Sequence, residues 1–291
     1  MRIEKINFIA EISSNHNKSL NRTLKLIKSA KDSGFTSVKF QLFKINQLFS
    51  KEILASSFQH RNRAKWELPI NFIPKIYQYC KEINIKFGCT PFYLDAVKEL
   101  APYVDFFKIS SYELLWKELL IECAKTKRPL IISTGMANLK EVKRAVKLLN
   151  ANKVKDLVVM HCVSSYPAKI LDTNLSTIAT LKKNLNTKIG WSDHTVNQNV
   201  IYRAIYRWGV KDVEIHYDLD GKGFEFSSGH CWLPGQAKDL IKNVNEGLVA
   251  DGKNKKNPSR SELPDRNWRA DPKDGLRPLK KIRKKWEIKK F

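Results

Sequence analysis

Short runs of apolar and β-branched residues recur eight times before residue 217, and a stretch with helical spacing follows each run. Buried parallel strands have this near-continuous apolar composition. The predicted strands are Ile6–Ala10, Ser37–Gln41, Lys86–Cys89, Phe106–Ile109, Leu130–Ile132, Leu157–Met160, Lys188–Trp191 and Val213–Ile215. The predicted helices are Leu20–Asp32, Ile70–Glu82, Leu94–Leu100, Glu113–Lys125, Leu139–Leu149, Asn174–Lys183, Asn199–Trp208 and Pro234–Leu248. Eight such units are typical of a (β/α)8 TIM barrel, whereas an open doubly wound sheet rarely has eight evenly spaced repeats.

The chain divides by composition into a predicted barrel domain, residues 1–250, and a basic C-terminal tail, residues 251–291. The whole chain carries 53 Lys and Arg against 29 Asp and Glu, a formal charge of +24, and residues 253–291 carry 15 basic and 5 acidic residues. We expect an extended tail that ends in a short basic helix from Leu279 to Trp286. Trp268 and Trp286 argue against complete disorder, because large apolar rings usually dock.

Several classes of protein are excluded by the composition. No apolar run is long enough to span a membrane, and the start of the chain lacks the apolar core of a signal peptide. The five cysteines are scattered and show no C-x-x-C spacing, which predicts reduced thiols in a cytoplasmic protein. The positive charge indicates either a solvated surface or attraction of an anion such as a phosphorylated substrate, nucleic acid or a membrane surface.

Every predicted strand is followed by polar or ionisable residues at its C-terminal end, where the active sites of such barrels lie. In chain order these residues are Glu11, Asn15 and His16; Lys39 and Gln41; Thr90; Lys108, Ser110, Ser111 and Glu113; Ser133 and Thr134; His161, Cys162, Ser164, Ser165 and Tyr166; Ser192, Asp193 and His194; and Glu214 and His216. This convergence from all eight strands predicts an enzyme.

Two lysines from different strands, Lys39 and Lys108, could neutralise a small dianion. Hydroxyls of Thr90, Ser111, Ser133 and Ser164 could donate hydrogen bonds to its oxygens, so together these side chains predict a site for a phosphate or phospho-carboxylate.

His194 and His216 end adjacent strands, which lie about 4.8 Å apart, so their imidazoles could share one divalent cation. Glu214 or Glu11 could supply an oxygen or a supporting hydrogen bond. His230 lies in an unusual Gly-His-Cys-Trp stretch. It could be a metal ligand, it could form a hydrogen bond within its loop, or it could do neither.

Read together, these segments resemble the sialic acid (N-acetylneuraminate) synthase family of nonulosonic acid synthases. The matching pieces, in order from about residue 5 to 245, are Ala10-Glu11-Ile12 with Asn15-His16, Val38-Lys39-Phe40-Gln41, Cys89-Thr90-Pro91-Phe92, Phe107-Lys108-Ile109-Ser110-Ser111-Tyr112-Glu113, Ser133-Thr134-Gly135-Met136, His161-Cys162-Val163-Ser164-Ser165-Tyr166-Pro167, Gly190-Trp191-Ser192-Asp193-His194-Thr195 and Glu214-Ile215-His216-Tyr217.

The resemblance implies a TIM barrel that condenses phosphoenolpyruvate with an N-acylated amino sugar, such as N-acetylmannosamine or a diacetamido-trideoxyhexose. The products would be phosphate and a nine-carbon 2-keto acid. It implies a divalent metal, Mn²⁺ or Mg²⁺, held by His194 and His216, and a homodimer. The implied catalytic residues are Glu11, Lys39, Lys108 and Glu214. Phosphoenolpyruvate contacts carry over onto Lys39, Thr90, Lys108, Ser111, Ser133, Ser164 and Ser192, and sugar contacts onto Glu11, Gln41, Tyr166 and Glu225.

Three departures from the family pattern matter. Members can have Asn at the position of Ser164. The loop after the second metal histidine usually reads Gly-Pro-Asp, and here it reads Gly223-Phe224-Glu225. Many members continue into a small antifreeze-like domain that gives an Arg to the partner's sugar site, and we expect this chain to be a short form without it.

Two other functions remain open. One is a different phosphoenolpyruvate-dependent synthase of 3-deoxy sugar acids that acts on an unacylated sugar phosphate. The other is a non-catalytic subunit or a nucleic-acid-binding protein that acts through the basic tail. The combination of Lys39, Lys108, His194 and His216 favours a catalyst.

Overall fold

The computed structural model describes residues 5–252 and 254–287. Three parts of the predicted domains lie outside the described residues: 1–4, 253 and 288–291. A boundary between Gly247 and Leu248 divides the described chain into two compact units.

The first unit is a closed barrel of eight parallel strands. Each strand pairs with the next, and the first pairs with the eighth to close the barrel. The strands are β1 (Asn7–Glu11), β2 (Ser37–Leu42), β3 (Lys86–Pro91), β4 (Phe106–Ile109), β5 (Leu130–Ser133), β6 (Leu157–Cys162), β7 (Lys188–Asp193) and β8 (Asp212–Tyr217). A short ninth strand, β9 (Cys231–Trp232), pairs in parallel with β8. The predicted (β/α)8 barrel is confirmed.

Helices surround this barrel. They are α1 (Leu20–Asp32), α2 (Ile45–Leu48), α3 (Lys51–Ser56), α4 (Phe58–Asn62), α5 (Ile73–Glu82), α6 (Leu94–Leu100), α7 (Lys117–Lys125), α8 (Leu139–Ala151), α9 (Thr177–Asn184), α10 (Gln198–Tyr202) and α11 (Pro234–Ala250). Ser19 caps α1 by accepting a hydrogen bond from the Arg22 amide at 3.2 Å. Asn138 and Glu141 form a capping box at the start of α8.

The helix boundaries differ from the sequence prediction by three residues or more at four places. Helix α5 begins at Ile73, after a 3₁₀ turn over Ile70–Phe72. Helix α7 begins at Lys117, four residues late, because Glu113 accepts a hydrogen bond from Ser110 within the preceding turn. Helix α9 begins at Thr177, since Asn174 adopts a left-handed conformation with φ of 39°. The predicted helix over 199–208 splits into α10 and a π-helical turn, Arg203–Arg207. Helices α2 to α4 lack long apolar periodicity and were not predicted.

The alternation of side chains along each strand fills the barrel interior with two kinds of residue. An apolar layer contains Ile9, Phe106, Ile131, Val158 and Met160. Gly88 leaves room for the Phe106 ring, because a Cβ at this glycine would clash with it. Two positions after Ile9, Phe106 and Ile131 come the polar residues Glu11, Lys108 and Ser133. On these three strands the interior therefore changes from apolar to polar toward the C-terminal ends.

The second unit, considered by itself, contains two 3₁₀ turns and a helix, α12 (Lys280–Glu287). Asp271 accepts hydrogen bonds from the amides of Lys273 and Lys280, and Asp274 pairs with Arg283 at 2.7 Å. The rings of Trp268 and Trp286 meet edge to face, 6.2 Å apart. Within the described residues, no helix is long and apolar enough to cross a membrane.

Candidate functional site

Four charged side chains project into the barrel and form what we call the lysine–glutamate cluster: Glu11, Lys39, Lys108 and Glu214. All four are buried, with exposed fractions of 3% or less. Lys108 Nζ donates to Glu214 Oε1 at 2.6 Å, and Lys39 forms an ion pair with Glu11. Lys39 Nζ also lies 3.9 Å from Glu214 Oε1. Two cations thus face two carboxylates, and the structure brings together the four predicted catalytic residues.

Burial and charge act in opposite directions on these groups. Burial lowers the pKa of Lys39 to about 8, although Glu214 opposes this shift. Burial alone would raise the pKa of Glu214, but Lys108 and Lys39 lower it to about 2. Glu214 is therefore an anion at neutral pH. Lys39 is a cation at neutral pH and loses its proton above about pH 8.

Hydroxyl groups surround the lysine–glutamate cluster. Ser192 Oγ donates to Glu214 Oε1 at 3.2 Å, and Lys39 Nζ donates to Thr90 Oγ1 at 3.3 Å. Ser133 Oγ and Ser164 Oγ are buried and have no hydrogen-bond partner within the described residues. Buried hydroxyls are normally satisfied, so this pair indicates space for a ligand oxygen.

Gly135 shapes the same cradle. Its amide donates to Ser111 Oγ at 2.9 Å. A Cβ at Gly135 would clash with Ser164 Oγ and would approach Ser111 Oγ to 2.9 Å and Cys162 Sγ to 3.1 Å. The structure therefore brings all seven predicted phosphoenolpyruvate residues to the C-terminal ends of strands β2 to β7.

Three imidazoles and one carboxylate form a second group, the imidazole cluster: His194, His216, His230 and Glu225. The ring centroids of His194 and His216 are 5.2 Å apart, and those of His216 and His230 are 4.4 Å apart. Glu225 Oε2 lies 3.3 Å from His216 Nδ1 and 3.7 Å from His230 Nε2. The two predicted metal histidines are therefore neighbours, and a third histidine adjoins them.

The predicted metal residues are neutral bases in this setting. Burial, reinforced by the neighbouring His216, lowers the pKa of His194 to about 3. Burial lowers the pKa of His216 to about 4, although the Glu225 carboxylate beside it opposes this shift. Burial by itself would raise the pKa of Glu225, but the imidazoles of His216 and His230 beside it hold this pKa well below its usual range. Metal ligands must be deprotonated, and these groups are.

The donor chemistry fits a divalent cation. His216 Nδ1, Glu225 Oε2 and His230 Nδ1 are buried without a hydrogen-bond partner in the part of the chain that the structure describes. Ligand atoms of His216, Glu225, His230 and Cys231 all lie within 4.8 Å of one another. His194 directs Nδ1 to the Val163 carbonyl at 2.7 Å, which leaves Nε2 as its donor atom.

The predicted sugar residues lie on both sides of these clusters. Gln41 Nε2 donates to Glu11 Oε1 at 2.9 Å. The half-exposed ring of Tyr166 lies over the imidazole cluster, 4.3 Å from the His194 ring and 5.1 Å from the His230 ring. Glu225, the fourth predicted sugar residue, lies against His216 and His230.

Two other histidines make hydrogen bonds with the loops that surround these clusters. His161 Nε2 is 2.8 Å from the Thr173 carbonyl oxygen, and its ring packs on Trp191. His16 Nδ1 accepts a hydrogen bond from the Lys18 amide at 3.0 Å. Both contacts hold loops, so we assign these two imidazoles to structure.

Sequence reasoning left His230 undecided and missed Ser13 and the bonding role of Asn15. Ser13 donates to Glu225 Oε1, while Asn15 Oδ1 accepts from the Glu225 amide at 2.9 Å. Strand β9 aligns Cys231 with His216 and thereby places His230 beside it. A two-residue strand has no periodicity to detect, and the available signal was a histidine between glycine and apolar residues.

Comparisons with known proteins agree with this geometry. The sequence profile described as NeuB family matches residues 26–256. The N,N'-diacetyllegionaminic acid synthase of Campylobacter jejuni is 32% identical over 89% of this chain and 81% of its own length. The pseudaminic acid synthase of the same organism is 30% identical over 86% of this chain and 76% of its own length. The crystal structure of N-acetylneuraminic acid synthetase from Leptospira borgpetersenii superposes with a TM-score of 0.79 and 27% identity, over 90% of each chain. Because the family profile covers most of the chain and these relatives match it over nearly its whole length, the chain belongs to the NeuB family.

Proposed function

We propose that the protein condenses phosphoenolpyruvate with an N-acylated amino sugar and forms a nine-carbon 2-keto sugar acid and phosphate. The observation that carries the proposal is that the lysine–glutamate cluster, with the unpartnered hydroxyls of Ser133 and Ser164, adjoins the imidazole cluster. Glu214, which bonds Lys108, stands two residues before His216 on β8. An anion site and a cation site side by side suit an anionic nucleophile and a carbonyl electrophile. The relatives' names as legionaminic, pseudaminic and sialic acid synthases support this reaction class.

The lysine–glutamate cluster binds and orients phosphoenolpyruvate in this proposal. Lys39 and Lys108 exchange part of their pairing with Glu11 and Glu214 for the phosphate and carboxylate oxygens. Thr90, Ser111, Ser133, Ser164 and Ser192 donate hydrogen bonds around them. Since Lys108 and Lys39 are what hold the pKa of Glu214 low, neutralising them with the anion raises it and makes Glu214 a better base.

The chemical step joins C3 of phosphoenolpyruvate to the aldehyde carbon of the open-chain sugar. The electron pair of the C2–C3 double bond forms the new bond, and the π electrons of the aldehyde move onto its oxygen. A water oxygen then bonds to the positively charged C2. Glu214, whose Oε2 has no hydrogen-bond partner within the described residues, accepts a proton from that water. The bond between C2 and the phosphate oxygen then breaks, and the released phosphate takes the proton from Glu214. The new C2 hydroxyl becomes the ketone as its proton passes to the former aldehyde oxygen. A bound Mn²⁺ or Mg²⁺, held by His194 and His216, would supply Lewis-acid polarisation of the aldehyde oxygen.

Glu11, Gln41 and Tyr166 orient the sugar. Gln41 holds Glu11 in place through the 2.9 Å hydrogen bond, so the two side chains present a joined polar surface. Tyr166 offers an apolar ring face beside the imidazole cluster, which suits packing against an acyl group or a deoxygenated carbon.

The test is phosphate release from phosphoenolpyruvate with Mn²⁺ across a panel of sugars. The panel contains N-acetylmannosamine, diacetamido-trideoxyhexoses and unacylated sugar phosphates, and mass spectrometry identifies the 2-keto acid. We expect release with one acylated sugar and a strongly raised KM for phosphoenolpyruvate in Lys108→Ala. Release only with unacylated sugar phosphates would favour a 3-deoxy sugar acid synthase instead, and silence without binding of either ligand would reject the proposal.

A further inference from the structure

We propose that Glu225 and His230 bind the divalent metal together with His216, so that the metal site extends beyond the pair of strand-end histidines. The inference rests on the metal assignment in the proposed function. It concerns two residues that come from the loop between β8 and α11.

The first argument is geometric. The donor atoms of His216, Glu225 and His230 lie within 4.8 Å of one another, which is the span that ligands around one ion require. His216 and His230 have ring centroids 4.4 Å apart and meet at 72°, edge to face. Two histidines and one carboxylate on one side of an ion form a familiar ligand set that leaves other positions open.

The second argument comes from unsatisfied atoms. His230 is 4% exposed, and its Nδ1 lacks a hydrogen-bond partner within the described chain, as do His216 Nδ1 and Glu225 Oε2. Leaving such polar atoms buried is costly. A cation held by His216 Nδ1, Glu225 Oε2 and His230 Nε2, which faces Glu225 Oε2 at 3.7 Å, would satisfy the first two. Cys231 Sγ is also nearby, but it accepts from Asn15 Nδ2 at 3.5 Å, and Mn²⁺ and Mg²⁺ prefer the harder oxygen and nitrogen donors.

The third argument is that Glu225 is held in position as metal-binding carboxylates are. Ser13 donates to Oε1, and Asn15 accepts from the Glu225 backbone amide, so Oε2 is the free oxygen that faces the imidazoles. Asn15 Nδ2 also donates to the Tyr217 carbonyl at 3.1 Å, which ties this loop to the end of β8. Such supporting hydrogen bonds orient ligands before the ion binds.

The experiment measures Mn²⁺ affinity of the purified protein by calorimetry, without substrates. We expect Glu225→Gln and His230→Gln each to weaken binding by more than about 100-fold, which exceeds the roughly 10–100-fold effect of losing an outer supporting residue. His161→Gln is the matched control, because His161 is an equally buried imidazole bonded to Thr173 outside the cluster, and its Mn²⁺ affinity should be unchanged. Wild-type affinity in folded His230→Gln would overturn the proposal.

A measurement on the unaltered protein covers the case in which a variant does not fold. The chain has six histidines, so their ¹⁵N-labelled imidazole signals can be followed by NMR as diamagnetic Mg²⁺ is added. We expect the His216 and His230 signals to shift. A shift of His194 and His216 alone would reject the additional ligands.

Phosphate release is assayed separately, so the two proposals fail independently. Metal binding that depends on Glu225 and His230 in a protein that releases no phosphate would leave the ligand set standing and reject the condensation. If the protein releases phosphate but both variants bind metal as the wild type does, the condensation stands and the additional ligands are rejected.

Discussion

Individual residues in the barrel interior are placed by the alternation of the strands. Lys39 stands opposite Glu11 in the β1–β2 register, and Ser192 stands opposite Glu214 in the β7–β8 register. Because inward positions repeat every second residue, these side chains meet partners from the neighbouring strand. Lys108 on β4 instead reaches across the barrel to Glu214 on β8. The same rule places Phe106 of β4 against Gly88 of β3. These two residues lie two positions before the polar residues Lys108 and Thr90 of the same strands. Strand alternation therefore fixes the positions of these side chains inside the barrel.

Gly135 is the most sensitive position of the hydroxyl cradle. Gly135→Ala puts a methyl group where Ser164 Oγ and Ser111 Oγ now lie, so we expect KM for phosphoenolpyruvate to rise about 10-fold or more, equivalent to about 1.4 kcal/mol. Steady-state kinetics of phosphate release would measure it. Gly235→Ala is the control, because a Cβ there meets no atom within 4 Å. Equal kinetics in the two variants would mean that the cradle does not hold the phosphate.

The pKa of Lys39 predicts how phosphoenolpyruvate affinity depends on pH. Burial lowers this pKa to about 8, so the side chain is charged below that pH and neutral above it. A bound anion favours the charged form, and affinity should therefore be full below about pH 8 and fall by up to about 10-fold per pH unit above it. Calorimetric titration over that range measures the effect. Lys39→Arg should move the fall to higher pH because arginine stays charged, and a flat wild-type profile would contradict the assignment.

At the scale of secondary structure, the turn after β7 positions His194. Asp193 is buried at the end of this strand and accepts from Thr195 Oγ1 at 2.8 Å, from the amides of Thr195 and Val196 at 3.1 Å, and from Trp191 Nε1 at 3.3 Å. Val196 has a left-handed φ of 51°, which a β-branched residue rarely adopts. The carboxylate thus holds a turn that the local sequence would not favour.

Replacement of this carboxylate should weaken both the fold and the metal site. In Asp193→Asn the amide nitrogen cannot accept, so we expect the free energy of unfolding to fall by about 2–3 kcal/mol near neutral pH. Mn²⁺ affinity should also fall, because His194 follows directly. Urea denaturation and calorimetry measure the two effects. Asp239→Asn, on the exposed face of α11, should change neither, and an equally stable Asp193→Asn would show that the turn holds itself.

Sequence patterns predicted these elements unequally. Every barrel strand was found because buried parallel strands carry continuous apolar runs. Helices α2 to α4 were missed because each is six residues or shorter and buries no side chain fully. Strand β9 was missed because two residues show no periodicity, although both are buried, and it exists through pairing with β8. Elements that depend on tertiary contacts leave little periodicity in the sequence.

At the scale of the whole molecule, net charge and ligand binding act together. The chain carries +24, and a positive field raises the encounter rate with anionic substrates, less so at high salt. The lysine–glutamate cluster then holds the anion by direct contact. Two buried cations among two buried carboxylates are stable as a set, but they are better satisfied with a ligand present.

Ligand binding should therefore stabilise the folded protein. Phosphoenolpyruvate at about 100 times its Kd adds about 2.7 kcal/mol to the free energy of unfolding, which raises Tm by several degrees. Differential scanning calorimetry should detect this rise in the wild type and lose it in Lys108→Ala. Removal of metal with a chelator should lower Tm in the wild type and have little effect in Glu225→Gln. An identical Tm with and without phosphoenolpyruvate would argue against binding in this barrel.

The amino-acid sequence by itself determined the barrel and the residues at its C-terminal ends. Apolar periodicity is local, and parallel strands bring their ends together whatever the loops do. Only the tertiary structure decided which polar residues meet. It set Glu225 between His216 and His230, and it paired Lys39 with Glu11 and Lys108 with Glu214. Such contacts depend on register and loop path, which single-sequence patterns do not encode because the partners lie far apart along the chain.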